Sequence, residues 1–304
     1  MDTLPVLFII FNRPEIAVRA FEQIKAYKPR HLYIGSDGPR NSKEIEIVEY
    51  TRNIIINSIN WKCEVRTLFQ DSNLGCGKGV YTAINWFFEQ VEYGVILEDD
   101  CIANQSFFKY AFEMLNRYKD DNRIGMIAGT NPILLQDYPC SIIFSRYKSC
   151  WGWGTWQRAW KNMDLNMSWR NGPQANDIIR NCGYKGKDES IWRYKLKAID
   201  NEYVSAWDWQ WYFSLSAQNQ LCIYPKCNLI SNIGNDESAT HTSYSNITLA
   251  SKELPFPLLI PNNIVPNDTF DKLFYKQSTT LFARLSRMIP HKYKTIIKQI
   301  LKNA

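Results

Sequence analysis

The chain has 304 residues, 45% hydrophobic and 22% charged, which describes an ordinary folded protein with room for one large α/β domain or two small ones. The formal charge of +6 is carried by the end of the chain: from Lys272 onward there are eight Lys and Arg residues and no acid. The rest is therefore at −2, which excludes a basic nucleic-acid-binding body. Eight cysteines without a CxxC pair or regular spacing argue against a metal cluster or disulfide framework and suggest a reducing compartment.

The opening "PVLFIIF" is too short for a membrane span and lacks the basic lead-in of a signal peptide, so it is expected as the first buried strand of a cytoplasmic protein. A helix opened by Pro14 and Glu15 follows. "HLYIGSD" then precedes a helix beginning near Ser42, and "CEVRTLFQD" precedes one from Gly77 to Glu89. "YGVILEDD" precedes a helix from Gln105 to Tyr118, after which comes the strand-like "IGMIAG". This alternation predicts a mostly parallel sheet with helices on both faces. Such sheets bind ligands beyond the carboxyl ends of their strands, where Asn12, Arg13, Asp37 and Glu98 to Asp100 fall.

The second half is rich in tryptophan, in "SCWGWGTWQRAW" and "WDWQWYF". Helices are expected from about Asp188 to Asn201 and from Asp208 to Gln218, followed by the apolar "LCIYP" and the irregular "LISNIGNDESATHT". With no internal repeat and no low-complexity linker, residues 1 to 266 read as one continuous fold, and 267 to 304 as a basic amphipathic helical tail. In that tail Phe274, Leu281, Leu285 and Met288 follow one helical face. After Pro290, Tyr293, Ile296, Ile297, Ile300 and Leu301 repeat the pattern. An acid-free basic pair of helices fits an anionic membrane surface, placing the protein peripherally on the inner face of the cytoplasmic membrane; packing on the body and self-association are the alternatives.

The segment "YGVILEDDCIA" ends an apolar run on three consecutive carboxylates. If the strand continued, Glu98 and Asp100 would share one face and Asp99 would take the other. Like charges so close are costly unless a cation or proton lies between them. A solvated strand end leading to a helix capped near Asn104 is the plain alternative.

Together these stretches resemble the nucleotide-sugar glycosyltransferases of the GT-A fold, whose hallmark is a DxD-type acidic motif at a strand end. The "EDD" inside "VILEDD", with "GSDG" upstream, is most similar to the Golgi N-acetylglucosaminyltransferase that initiates complex N-glycans and to related bacterial transferases. The likeness covers roughly residues 4 to 242, in short motifs made specific by their order and spacing. It implies a donor-binding half over 1 to 130 and an acceptor-binding half over 131 to 266.

It also implies that Asn12, Arg13 and Asp37 lie against the nucleotide, that Asp100 holds Mn2+ or Mg2+, that Asp99 faces the ribose or a metal-bound water, and that Glu98 reaches the sugar. "NLGCGKGV" is not a Walker motif, and the resemblance places it beside the donor with Lys78 as a contact. In "WDWQW", Trp207 becomes an acceptor contact and Asp208 the catalytic base. A carboxylate among three tryptophans is a stronger base than one in water; the plain alternative is a helix cap. The second acid of the family's paired motif is replaced by Trp209. Trp153 and Gly154 would form the sugar pocket, with the core as the plain alternative, and Thr240 and His241 would approach the diphosphate.

The implied activity is an inverting, metal-dependent transfer of a sugar, UDP-linked by resemblance, to a saccharide or lipid-linked acceptor in bacterial surface polysaccharide or glycolipid assembly. A sugar-phosphate nucleotidyltransferase shares the topology but usually opens with a glycine-rich, arginine-bearing loop where this chain has "FNRPE". A non-enzymatic carbohydrate-binding protein would leave the convergent acids unexplained.

Overall fold

A computed structural model describes residues 3 to 202, 204 to 234 and 249 to 279. In chain order the elements are β1 (Val6–Ile10), α1 (Pro14–Tyr27), β2 (His31–Ser36), α2 (Ile45–Asn57), β3 (Glu64–Phe69), α3 (Gly75–Phe88), β4 (Tyr93–Glu98), β5 (Cys101–Ala103) and α4 (Gln105–Arg117). They continue with β6 (Ile124–Ala128), β7 (Ile142–Ser145), β8 (Trp153–Trp156), α5 (Gln157–Trp160), α6 (Ala175–Arg180), α7 (Glu189–Asp200), α8 (Asp208–Ala217), β9 (Leu221–Pro225), β10 (Ile230–Asn232) and α9 (Asp268–Ser278).

An eight-stranded sheet in the order β3-β2-β1-β4-β8-β6-β9-β7 forms the centre. All its strands run one way except β8 and β7, which pair antiparallel with their neighbours. The first half is the alternating strand and helix unit that its sequence pattern predicts. Strands β1, β2 and β4 read as largely apolar runs because both their faces are covered, whereas the edge strand β3 is mixed in sequence and mostly exposed. Val6, Phe8, Val95 and Leu97 pack with α1 and α4 on one side, and Leu7, Ile96 and Met126 pack with α3 and α8 on the other. Proline at the first position starts α1, and Asn104 caps α4 by accepting from Phe107 N at 3.1 Å.

The strand at Tyr93–Glu98 stops on Glu98, and Asp99 and Asp100 form a turn before β5. Simple strand alternation across all three acids, as the sequence suggested, is therefore replaced by a turn that aims them separately. β5 then pairs antiparallel with β10, a contact between distant parts of the chain.

β8 enters between β4 and β6, so Trp153 and Gly154 are core. Helix α9 is also part of the body. Phe270 and Asp271 are fully buried, Asp271 accepts from Ser145 Oγ at 2.6 Å and Arg146 Nη1 at 2.8 Å, and Phe274 stacks on Tyr147 at 4.3 Å. The basic tail expected from residue 267 thus begins inside the fold; residues 280 to 304 lie outside the described residues. Among the described residues no helix is long and apolar enough to cross a membrane.

Candidate active site

The carboxyl ends of β1, β2 and β4 open into two cavities, of about 480 Å³ and about 660 Å³. Arg13, Cys76, Glu98 and Ser205 line both, so the two join at the acidic strand end. The smaller cavity runs along Phe11, Asn12, Asp37, Gln70 and Asp99. The larger holds Asp100, Asp208 and the aromatic side chains of Trp151, Tyr194, Trp207, Trp209 and Phe274. Both volumes suit a small-molecule substrate.

Glu98, Asp99, Asp100 and Asp208 lie around this junction, with the Arg13 guanidinium bonded to two of them and Lys148 and Lys195 also on the wall of the larger cavity. Arg13 donates from Nε to Asp99 Oδ2 at 3.3 Å and from Nη2 to Asp99 Oδ1 and, at 3.2 Å, to Asp100 Oδ2. Burial works against the Arg13 charge, but Asp99 and Asp100 outweigh it and hold the group more firmly protonated. Burial pushes the Glu98 carboxyl well above the usual range, and the charges of Asp100, Asp99 and Asp208 push the same way. Burial also raises Asp99, to about 6, against the pull of Arg13. The neighbouring thiol of Cys76 is pushed up to about 12 by burial and then by Glu98, Asp208, Asp37 and Asp100, which makes it a poor nucleophile. Such an excess of negative charge favours an added cation.

Asp100 is suited to receive one. Its Oδ1 accepts from Asn232 Nδ2 at 3.0 Å, fixing the carboxylate so that Oδ2 faces Arg13. Among the described residues no group of three or more His, Cys, Asp or Glu side chains is arranged to hold a metal alone. One or two carboxylates, the set offered by Asp100 and its neighbours, suit a hard cation that completes its shell with substrate oxygens and water, as Mg2+ does at phosphate sites.

Asp208 is the first residue of α8, and the N-cap position belongs to Trp207, which makes no side-chain capping bond. Asp208 lines the larger cavity with Glu98 and Asp100. Trp207 is 4% exposed and stacks on Trp153 with ring centroids 5.7 Å apart.

Other candidates take different positions. Asp37 lies on the wall of the smaller cavity, but its carboxylate already accepts four hydrogen bonds, from Gly38 N, Leu74 N, Gly75 N and Asn73 Nδ2, at 2.8 to 3.0 Å. These occupy its lone pairs and make it the clasp of the glycine loop rather than a free acceptor for a nucleotide. Asn12 also lines that cavity and donates to Glu44 Oε1 at 3.4 Å. Lys78 is exposed and outside both cavity walls, because Gly75, Cys76, Gly79, Val80 and Ala83 form the inward face of α3. Trp153, 0% exposed, packs against Trp160 and Trp211 and touches neither cavity, while Gly154 sits in β8 beneath Leu115 and Val95. The sugar-pocket role expected for these two gives way to a core position; the half-buried Trp151 and Trp209 line the larger cavity instead. Thr240 and His241 lie outside the described residues.

Sequence reasoning missed Asn232 and Ser205. Ser205 Oγ accepts from Gly77 N at 2.9 Å and ties the glycine loop to the segment entering α8. Its place just ahead of "WDWQW" was the available signal. Asn232 carries none, since its role depends on β5 meeting β10.

No protein-family model and no curated protein sequence matches the chain. Among solved structures it is similar to a mannosyltransferase from Pyrobaculum calidifontis in complex with GDP-Man and Mn2+, with TM-score 0.38 and 9% identity over 72% of this chain and 70% of that one. It is also similar to mouse xyloside xylosyltransferase 1, with TM-score 0.35 and 10% identity over 72% and 84% of the two chains. A cytidylyltransferase from Leptospira borgpetersenii gives TM-score 0.36 and 10% identity over 59% and 71%. At such scores the activity has to be read from the site itself.

Proposed function

We propose that the chain is a divalent-cation-dependent, inverting glycosyltransferase of the GT-A kind, moving a sugar from a nucleoside-diphosphate donor, a UDP-sugar in the first instance, to a saccharide or lipid-linked saccharide acceptor. The observation that supports this best is the meeting of two cavities at Arg13 and Glu98, with Asp99 on the wall of the smaller and Asp100 and Asp208 on the wall of the larger. The smaller cavity would take the nucleotide. The larger, with aromatic faces suited to the C–H faces of pyranose rings, would take the acceptor. Bacterial surface polysaccharide or glycolipid assembly is the corresponding setting.

In this scheme the acceptor hydroxyl gives its proton to the Asp208 carboxylate while its oxygen bonds to the anomeric carbon. The bond from that carbon to the diphosphate oxygen breaks, and the nucleoside diphosphate leaves with the electron pair. A cation at Asp100 would offset charge on the departing diphosphate. Arg13 would supply a bidentate guanidinium for the same group, and Glu98, which lines both cavities, would approach the sugar.

The test is a panel of nucleotide sugars with Mn2+ or Mg2+, following nucleoside diphosphate release. Removing a positioned base costs about 10² to 10⁴ in rate, so Asp208→Asn should slow turnover by that order with donor affinity little changed. Asp100→Ala should abolish the metal dependence together with nearly all turnover. Full activity in excess chelator, or release of pyrophosphate instead of nucleoside diphosphate, would refute the assignment; the latter would indicate nucleotidyl transfer.

A further inference from the structure

Arg13 stands where a substrate-borne cation would have to stand. Its Nη2 donates to Asp100 Oδ2 at 3.2 Å, while Asn232 Nδ2 donates to Oδ1 of the same carboxylate. A divalent ion held by Asp100 would stand close to the guanidinium bonded to the same carboxylate. Two like charges so close repel strongly away from bulk water. They cannot share the carboxylate, so one must displace the other. The side chain also has somewhere to go. Arg13 lines both cavities, and turning its head into the smaller one would give it a diphosphate, the bidentate partner that its planar fork matches.

We propose that Arg13 is an exchangeable internal cation. It neutralises the Asp99–Asp100 pair in the absence of donor and transfers to the donor diphosphate as a divalent ion takes Asp100. Metal and nucleotide then bind as a coupled pair, and each binds poorly alone. This rests on the glycosyltransferase assignment above and adds that the protein, not only the substrate, enforces the coupling. Because coupling is reciprocal, the factor by which UDP tightens Mn2+ equals the factor by which Mn2+ tightens UDP.

The experiment measures Mn2+ binding by electron paramagnetic resonance with and without UDP, and UDP binding by calorimetry with and without Mn2+, on the full chain. In the wild type UDP should tighten Mn2+ by about 10- to 100-fold, within the usual range of coupling. Arg13→Met should bind Mn2+ alone about tenfold more tightly, and the tightening by UDP should fall to a few-fold. Arg13→Lys keeps the charge but loses the fork. It should bind Mn2+ alone as weakly as the wild type, yet show a reduced coupling factor. Should Arg13→Met fail to fold with Asp99 deprived of its cation, the Lys variant decides. Unchanged Mn2+ affinity in Arg13→Met, or a wild-type coupling factor in Arg13→Lys, overturns the exchange while leaving the transferase assignment standing. A wild type that binds neither Mn2+ nor UDP overturns both.

Discussion

Lys148 buries its side chain and donates from Nζ to Ser216 Oγ at 2.7 Å. Burial pushes its pKa down, against the opposing influence of Cys182, Cys222, Asp271 and Asp188. In the window between the lowered folded pKa and the unfolded value near about 10.4, the unfolded chain binds more protons. Stability contributed by this site therefore rises with pH through that window, and below it the full penalty applies. Lys148→Met should accordingly raise Tm near neutral pH, by about 2 to 4 °C per kcal/mol recovered. The gain should shrink as pH approaches about 10; calorimetry that finds it independent of pH would contradict the argument. Other residues differed in how far the sequence disclosed them. The sequence singled out Glu98 to Asp100 because consecutive acids at the end of a buried strand are costly unless neutralised, and Arg13 does bond to Asp99 and Asp100. Lys78 lies two positions after Cys76 and one before Gly79, so helical phase turns it away from the face that lines the cavity. Trp153 and Gly154 were misplaced because tryptophan and glycine occur equally in sugar pockets and in tightly packed cores. Asn232 was silent because its contact with Asp100 spans 132 residues.

Helix α3 begins on Gly75, whose φ of +81° suits glycine, and its first turn packs on the segment entering α8. A Cβ at Gly77 would lie 2.9 Å from Ser205 Oγ and 3.0 Å from Ala206 O, so this glycine sets how closely the nucleotide side of the cleft approaches Asp208. Gly77→Ala should displace residues 205 to 208, costing about 1 to 3 kcal/mol as overpacking does and lowering kcat more than it raises the KM for donor. Thermal unfolding and steady-state kinetics check this; a variant with wild-type Tm and kcat would show that the contact can relax. Elements in the first half were legible because strand and helix alternate locally, each with its own period and punctuation. β8 was not, since "CWGWGTW" becomes a strand only by insertion between β4 and β6, and β5 and β10 are short strands that exist through each other. Such pairing is non-local and leaves no periodic mark on a segment of three or four residues.

At the scale of the whole molecule, the positive charge is concentrated at the end of the chain. Residues 280 to 304 contain six of the 36 Lys and Arg residues and none of the 30 acids, leaving 30 basic against 30 acidic residues in the remainder. Lys272 and Lys276, counted with the tail by sequence, lie exposed on α9, a helix that the body holds through Phe270, Asp271 and Phe274. Phe274 also lines the larger cavity, so α9 connects the proposed acceptor site to the basic segment. We propose that this segment draws the protein to an anionic membrane surface, where a lipid-linked acceptor would be presented. Each Lys or Arg near such a surface contributes about 1 kcal/mol, reduced by screening and partial contact. A deletion beginning at residue 270 would remove buried Phe270 and Asp271 and confound binding with unfolding. Truncation after Thr279 separates them: this form should keep the Tm of the full chain and its turnover of a soluble acceptor. It should lose sedimentation with anionic liposomes, which the full chain should show at low salt and largely lose at high salt. If the full chain stays in the supernatant at low salt, or the truncated form pellets equally, the basic segment does not serve as a membrane anchor.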